Sequence, residues 1–249
     1  YYDAGTATFT DNFMWWATQF VFGSDWSQLE FPETTTTVVP VQANSKVAGE
    51  YRLVHPYAEY YKEYLSDYLD YDSSLDYLLY NTSDPAKTYI LPSSTGINYL
   101  TKAGGDVIIQ IGSTNKFENG NPDADNMWGT FANEKITFPA LTDEALEEFD
   151  PSTTPSALSI AFSTFSSTTS GTNIATPEAE DLYTTPYPDA NVIAFGSAGI
   201  GEIATDSKLE DLNAPVEYYN LQGIRVLNPE AGQLLIKRQG SKASKIVIR

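Results

Sequence analysis

Short runs in which apolar and polar residues alternate recur along most of the chain, each closed by a turn signal, and a period of two predicts strands. The run TTTTVVPVQ (34–42) is β-branched, and Pro40, which has no N–H to give a ladder, predicts an edge position or a bulge there. NSKVAG then reads as a hairpin connection to EYRLVHPY, with Tyr51, Leu53 and His55 on one face and Arg52 and Val54 on the other. DYLLYNT and KTYILP flank the turn signal Ser83 to Ala86. GDVIIQIG (105–112) is the most apolar strand, WGTFANEKITFPA reads as a hairpin turning near Asn133, and ALSIAFSTF and Ala190 to Gly196 supply two more strands. The opening segment GTATFTDNFMWWATQFVF has no proline and spaces Phe9, Phe13, Trp15 and Phe20 among small or polar residues, so it too reads as a strand or strand pair.

Two stretches change period. Tyr57, Tyr60, Tyr61, Tyr64, Leu65, Tyr68 and Leu69 keep helical spacing with acids between them, which predicts a short helix or helical loop laid on the sheet. TDEALEEF (142–149) opens on a good N-cap and carries acids in its first turn, the pattern of a one- or two-turn helix. Together these elements predict a mainly β protein, an antiparallel β-sandwich-like body with one or two short helices. The body spans 1–198, or 1–140 followed by a second β-rich part at 141–198. A linker covers 199–213, and 214–249 forms a small C-terminal β meander in which short apolar runs are separated by Gly223, Asn228-Pro229, Gly232 and Gly240.

Charge sets that last segment apart. It holds six basic side chains against two acids (Glu217 and Glu230), whereas the rest of the chain holds eight against thirty-one. A sign change this sharp implies two different jobs. VEYYNLQGIRV, then NP, then LLIKRQG and a closing KIVIR, resembles the C-terminal sorting domain of the type IX secretion pathway of Gram-negative anaerobes. The resemblance covers about the last thirty-six residues. It implies recognition by the secretion machinery, export across both membranes and display at the outer-membrane cell surface or release, and it implies no catalysis, because unrelated cargo share the tail. With export, Tyr1 is read as the start left after signal-peptide removal. A second resemblance runs over roughly residues 5–140. GTATFTDNFM, YRLVHPY and DYLLYNTSDPAKTYILP are similar to a repeated domain of secreted proteins of gut anaerobes marked by Tyr-Arg-Leu-x-Asn-Pro-Tyr, with His55 here where Asn is usual. It implies a β fold and a surface location, and at 57–71 it implies an acidic loop in place of the helix that the spacing predicts.

Composition narrows the chemistry. The absence of cysteine removes disulfide scaffolds, thiol nucleophiles and cysteine zinc sites. A net charge of −19 argues against nucleic-acid partners, since phosphate neutralisation needs a basic patch. No apolar run reaches the ~20 residues a spanning helix needs. A Ser-His-Asp triad would have to use His55, the single histidine, and no Gly-x-Ser-x-Gly elbow is present.

What remains is binding chemistry. Trp15, Trp16 and Trp26 with Tyr57, Tyr60 and Tyr61 make candidates for an aromatic platform that stacks on sugar rings, and in a strand Trp15 and Trp16 would point to opposite faces. Asn121, Asp123 and Asp125 in ENGNPDADN are hard oxygen ligands of the kind that suits Ca²⁺, without the bidentate Glu of an EF-hand. The function these features predict is a secreted, surface-displayed, non-catalytic protein that binds an extracellular glycan or cell surface. Two alternatives stay open: a carbohydrate-active hydrolase using two carboxylates, and a purely structural surface component.

Overall fold

In the computed structural model, residues 1–23, 31–101, 104–168, 171–196, 216–219, 226, 229, 234–239 and 242–247 are described. Trp26 and the linker expected at 199–213 lie outside them. The chain divides into two compact units, Tyr1–Gly201 and Glu202–Arg249.

The first unit is a curled antiparallel sheet, so the mainly β, sandwich-like reading holds. Its strands are β1 (Tyr2–Asp11), β2 (Thr35–Ala43), β3 (Glu50–Val54), β4 (Asp70–Asn81), β5 (Tyr89–Ile90), β6 (Ser93–Leu100), β7 (Asp106–Ser113), β8 (Thr130–Ala132), β9 (Lys135–Thr137), β10 (Leu158–Thr168), β11 (Gly171–Ile174), β12 (Leu182–Thr184) and β13 (Val192–Phe195). They run in the order β11-β10-β7-β6-β4-β3-β2-β1-β13-β9-β8, with β12 beside β10 and β5 beside β4. Most neighbours are also neighbours in sequence, the outcome of hairpin connections. The described pairing most distant in sequence puts β1 between β2 and β13, with Phe9 opposite both Thr37 and Ile193.

The alternation that predicted the strands also fixes which face is buried. Ala7 and Phe9, Val39 and Val41, Tyr51 and Leu53, and Leu78 and Tyr80 turn inward and join Ile97, Ile109, Ile111 and Ile160 in one core. Tyr51 stacks on Tyr80 with ring centroids 5.6 Å apart. The hairpin at Asn133 forms as expected, with Asn133 and Glu134 at φ of 51° and 61°, the left-handed pair a tight hairpin turn demands.

The opening segment departs from its strand reading. β1 ends at Asp11, and Phe13–Phe22 is a helix, α1. Inward alternation stops at Asp11, and the residues that follow bury Phe13, Met14, Ala17 and Thr18, which share one side of a helix. The Asp11 carboxylate also accepts from Met14 N–H at 3.1 Å, giving the first turn a partner for an otherwise orphaned donor. Trp15 and Trp16 therefore do not point to opposite faces. Adjacent helical residues are ~100° apart, and their rings lie 5.8 Å from each other.

Of the stretch from Tyr57 to Leu69 with helical spacing, Ala58–Tyr60 (α2) runs into a wider π-helical turn, Tyr61–Leu65, and residues 66–69 follow as a turn. The helix expected from TDEALEEF is Asp143–Glu147 (α3), with Thr142 Oγ1 accepting from Ala145 N–H.

In the second unit, β14 (Val216–Tyr219), β15 (Leu234–Gln239) and β16 (Lys242–Val247) form a three-stranded antiparallel meander in that order.

Candidate functional site

Where β3 ends, the chain leaves the sheet. His55 adopts φ 53°, a left-handed conformation that non-glycine residues seldom hold, and its N–H donates to Asp76 C=O at 3.0 Å. The turn carries Pro56 and Tyr57 beneath the sheet edge and starts α2. Because β3 pairs with β2 only from Val41 to Ala43, the other half of β2, Thr35–Val39, is bonded to β1 on one side and to no described strand on the other.

A cleft of about 460 Å³ occupies that gap. Thr34 to Thr37 line one wall, Glu59, Tyr60, Glu63 and Tyr64 the other, and Phe9, Asp11 and Tyr57 lie at its base. None of the lining residues is Lys, Arg or His. Pro40 falls where β3 pairing stops. Asn44 N–H donates to Glu50 C=O at 2.9 Å, and counting back along β2 by twos brings Gln42, Pro40, Val38 and Thr36 to that same edge. The N–H that proline lacks is thus one that no β3 residue requires, which explains how a strand interior to the sheet order tolerates it.

Two buried carboxyls hold the base of the cleft. Asp11 Oδ1 accepts from the Tyr57 hydroxyl at 3.1 Å while Oδ2 serves α1. Asp76 Oδ2 accepts from Tyr57 N–H at 3.1 Å and from the Tyr71 hydroxyl at 2.7 Å. Tyr57 is the bridge, fastened to one carboxyl by its ring and to the other by its backbone. Burial pushes Asp11 up to about 6, opposed by the donors from Met14 and Tyr57. It pushes Asp76 up to about 7, opposed by the Tyr71 hydroxyl and the N–H groups of Tyr57 and Ala58. The Tyr60 hydroxyl is buried with no hydrogen-bond partner among the described residues, and its pKa is raised by burial first and then by the nearby Asp11.

The aromatic residues expected to form a platform are dispersed. Tyr57 and Tyr60 are buried, at 2% and 6% exposure, and Tyr57 meets Phe9 edge-on at 5.8 Å. Tyr61 stacks on Tyr71 at 4.8 Å and donates its hydroxyl to Leu69 C=O at 3.1 Å. Trp15 and Trp16 are half-buried on α1, and Trp16 packs on Phe20 at 5.7 Å and Phe149 at 5.9 Å. Of the described members of this set, Tyr57 and Tyr60 are the ones at the cleft; Trp26 lies outside the described residues.

The proposed calcium ligands are placed differently again. Asn121 Oδ1 accepts from Asp123 N–H and its amide donates to Thr153 C=O, both at 3.0 Å, so this side chain closes the turn at Pro122–Ala124. Asp123 and Asp125 are exposed, and no group of three or more His, Cys, Asp or Glu able to hold a metal occurs among the described residues.

Sequence reasoning missed Asp11 and Asp76, although both leave a trace. Asp76 shares the inward parity of Leu78 and Tyr80 in DYLLYN, a polar residue on an apolar face. Asp11 sits three residues before Met14, the spacing of a side chain that caps a helix.

No family model, curated protein or solved structure matches the chain. No helix among the described residues is long and apolar enough to cross a membrane.

Proposed function

We propose that this is a non-catalytic binding protein of the cell surface, delivered by its C-terminal segment, and that the cleft beside β2 is where it holds an extracellular ligand. The observation that carries the ligand site is the cleft's lining: threonine hydroxyls on one wall, Glu59, Tyr60, Glu63 and Tyr64 on the other, and no basic group. Such a site repels phosphates and carboxylates. It suits neutral or cationic ligands rich in hydrogen-bond donors, which includes a neutral glycan or a protein chain on another cell surface. Support for binding over hydrolysis comes from Asp11, whose oxygens both accept hydrogen bonds from the protein itself, and from Asp76, which does not line the cleft. Support for delivery comes from the sorting-like motif in 214–249 and the reversed charge of that segment.

The test pairs binding with turnover. Immobilised glycans and surface-protein extracts are screened for retention of the protein, and the same polysaccharides are assayed for new reducing ends. Retention lost on replacing Thr37 with a bulky Trp, without reducing ends, is the expected result. Reducing ends that disappear in Asp11→Asn would return the hydrolase reading.

A further inference from the structure

Resting on that reading of the cleft, we infer that its ligand is an extended, positively charged peptide, bound by adding a strand to the open half of β2. Three observations converge. Thr36 and Val38 direct their N–H and C=O groups to the edge that β3 has left, as the parity from Asn44 requires, and no described residue pairs with them there. An unpaired edge of this kind is a template for another strand, and proteins that do not use one cover or charge it. No described residue covers the edge in this way and it carries no charge: its residues are Thr36, Val38 and Pro40, and Val38 is 68% exposed. The space beside the edge is the cleft itself, about 460 Å³.

The opposite wall says what the peptide carries. Glu59 and Glu63 are exposed on the helical turn, and no basic residue lines the cleft to neutralise them. The Tyr60 hydroxyl, buried at the cleft without a partner among the described residues, adds a donor and acceptor that a ligand can satisfy. In an added strand successive side chains alternate between faces. One row turns toward the helical wall, where lysine or arginine meets the two glutamates, and the backbone completes the ladder with Thr36 and Val38. Main-chain bonds supply affinity that is independent of sequence, and the glutamates select for charge.

The measurement is fluorescence anisotropy of the full chain with labelled nine-residue peptides that alternate lysine with valine, threonine or tyrosine. Three controls accompany them: the glutamate counterparts, the lysine peptides N-methylated at alternate amides, and an array of neutral oligosaccharides. Lysine peptides are expected to bind. N-methylation in the register that blocks pairing weakens them by about tenfold or more, the effect of losing ladder bonds. Val38→Pro removes a donor from the open edge alone and gives the same loss with an unchanged melting temperature. Glu59→Gln with Glu63→Gln weakens the lysine peptides and lets the glutamate peptides approach them. Equal binding of methylated and unmethylated peptides overturns strand addition, whatever Val38→Pro does to folding. Retention of oligosaccharides with no peptide binding overturns this inference and leaves the cleft reading standing, and binding of neither overturns both.

Discussion

The Tyr57 hydroxyl donates to Asp11 Oδ1 at 3.1 Å, joining the turn after β3 to the end of β1 across forty-six positions of chain. That one bond ties the base of the cleft to the start of α1, because the same carboxylate accepts from Met14 N–H. Replacing Tyr57 with Phe keeps the ring against Phe9 and removes only the donor. The expected cost is about 1–2 kcal/mol, measured by urea unfolding. Because the hydroxyl favours the charged carboxylate, its loss also moves the titration of Asp11 upward, an effect that a mere packing defect would not produce.

Stability should fall as pH rises through the neutral range. Asp11 and Asp76 hold their protons more tightly when folded, at about 6 and about 7, than an exposed aspartate does. The sign follows directly: their contribution is complete below the unfolded aspartate value of ~4 and is lost as pH climbs through 6 and 7. Melting temperature is therefore expected to be higher at pH 5 than at pH 8. Asp11→Asn and Asp76→Asn should each flatten the profile by on the order of a few kcal/mol. The general repulsion of a chain with net charge −19 acts in the same direction and persists in both variants, so an unflattened profile assigns the whole effect to it.

Gly96 stands beside this network at φ 73°, and a Cβ placed on it would lie 2.6 Å from Asp72 C=O and 3.1 Å from Asp76 Cβ. Gly96→Ala is expected to destabilise by more than ~1 kcal/mol, since both the backbone conformation and the space oppose it. Loss of Asp76 titration in the same variant, followed by carboxyl NMR shifts against pH, would locate the damage at the carboxyl.

Trp16→Ala should cost more than Trp15→Ala. Among the described residues Trp16 packs on three rings, Trp15, Phe20 and Phe149, all within 6 Å between centroids, and it lies against the core. A loss of about 2 kcal/mol is expected, below the ~3–5 kcal/mol of a fully buried Trp. Trp16→Phe should recover much of it, because the indole N–H is buried without a partner among the described residues. Thermal melts of the three variants rank them.

Removing residues 202–249 is expected to leave 1–201 with a single cooperative transition at an unchanged midpoint, as the division into two units implies. Fused to an unrelated exported carrier, the removed segment should take that carrier to the cell surface, detected by protease accessibility on intact cells. A broadened transition in the shortened chain would mean that both segments share one cooperative unit.

The strands were legible where a residue's environment depends on its own alternation. Leu53, Leu78 and Ile109 announce their inward faces locally, and the hairpins between them close over short spans. The helix α1 was misread because GTATFT establishes a period of two that the eye carries past Asp11, whereas the physical break is a side chain reaching three residues forward. The cleft was not legible at all. It exists because β3 pairs with three residues of β2 and no more, a fact about two strands and the turn at His55 that no single stretch of sequence records. The aromatic count pointed to a platform, but Tyr57 and Tyr60 spend their rings on the core.

β1 precedes every other described strand and needs its second neighbour, β13, about 180 residues later: Asn12 N–H finally finds Asn191 Oδ1 at 2.8 Å. Until that late strand arrives, the earliest one has an open flank and the sheet cannot close around Phe9. Contacts this distant in sequence slow folding, since the entropy of closing the intervening loop is spent before the contact repays it. Folding of the first unit should accordingly wait on nearly all of it, and a nascent or threaded chain that stops short of β13 would remain open. If the protein is exported as we propose, such delay keeps the polypeptide slack enough to be moved.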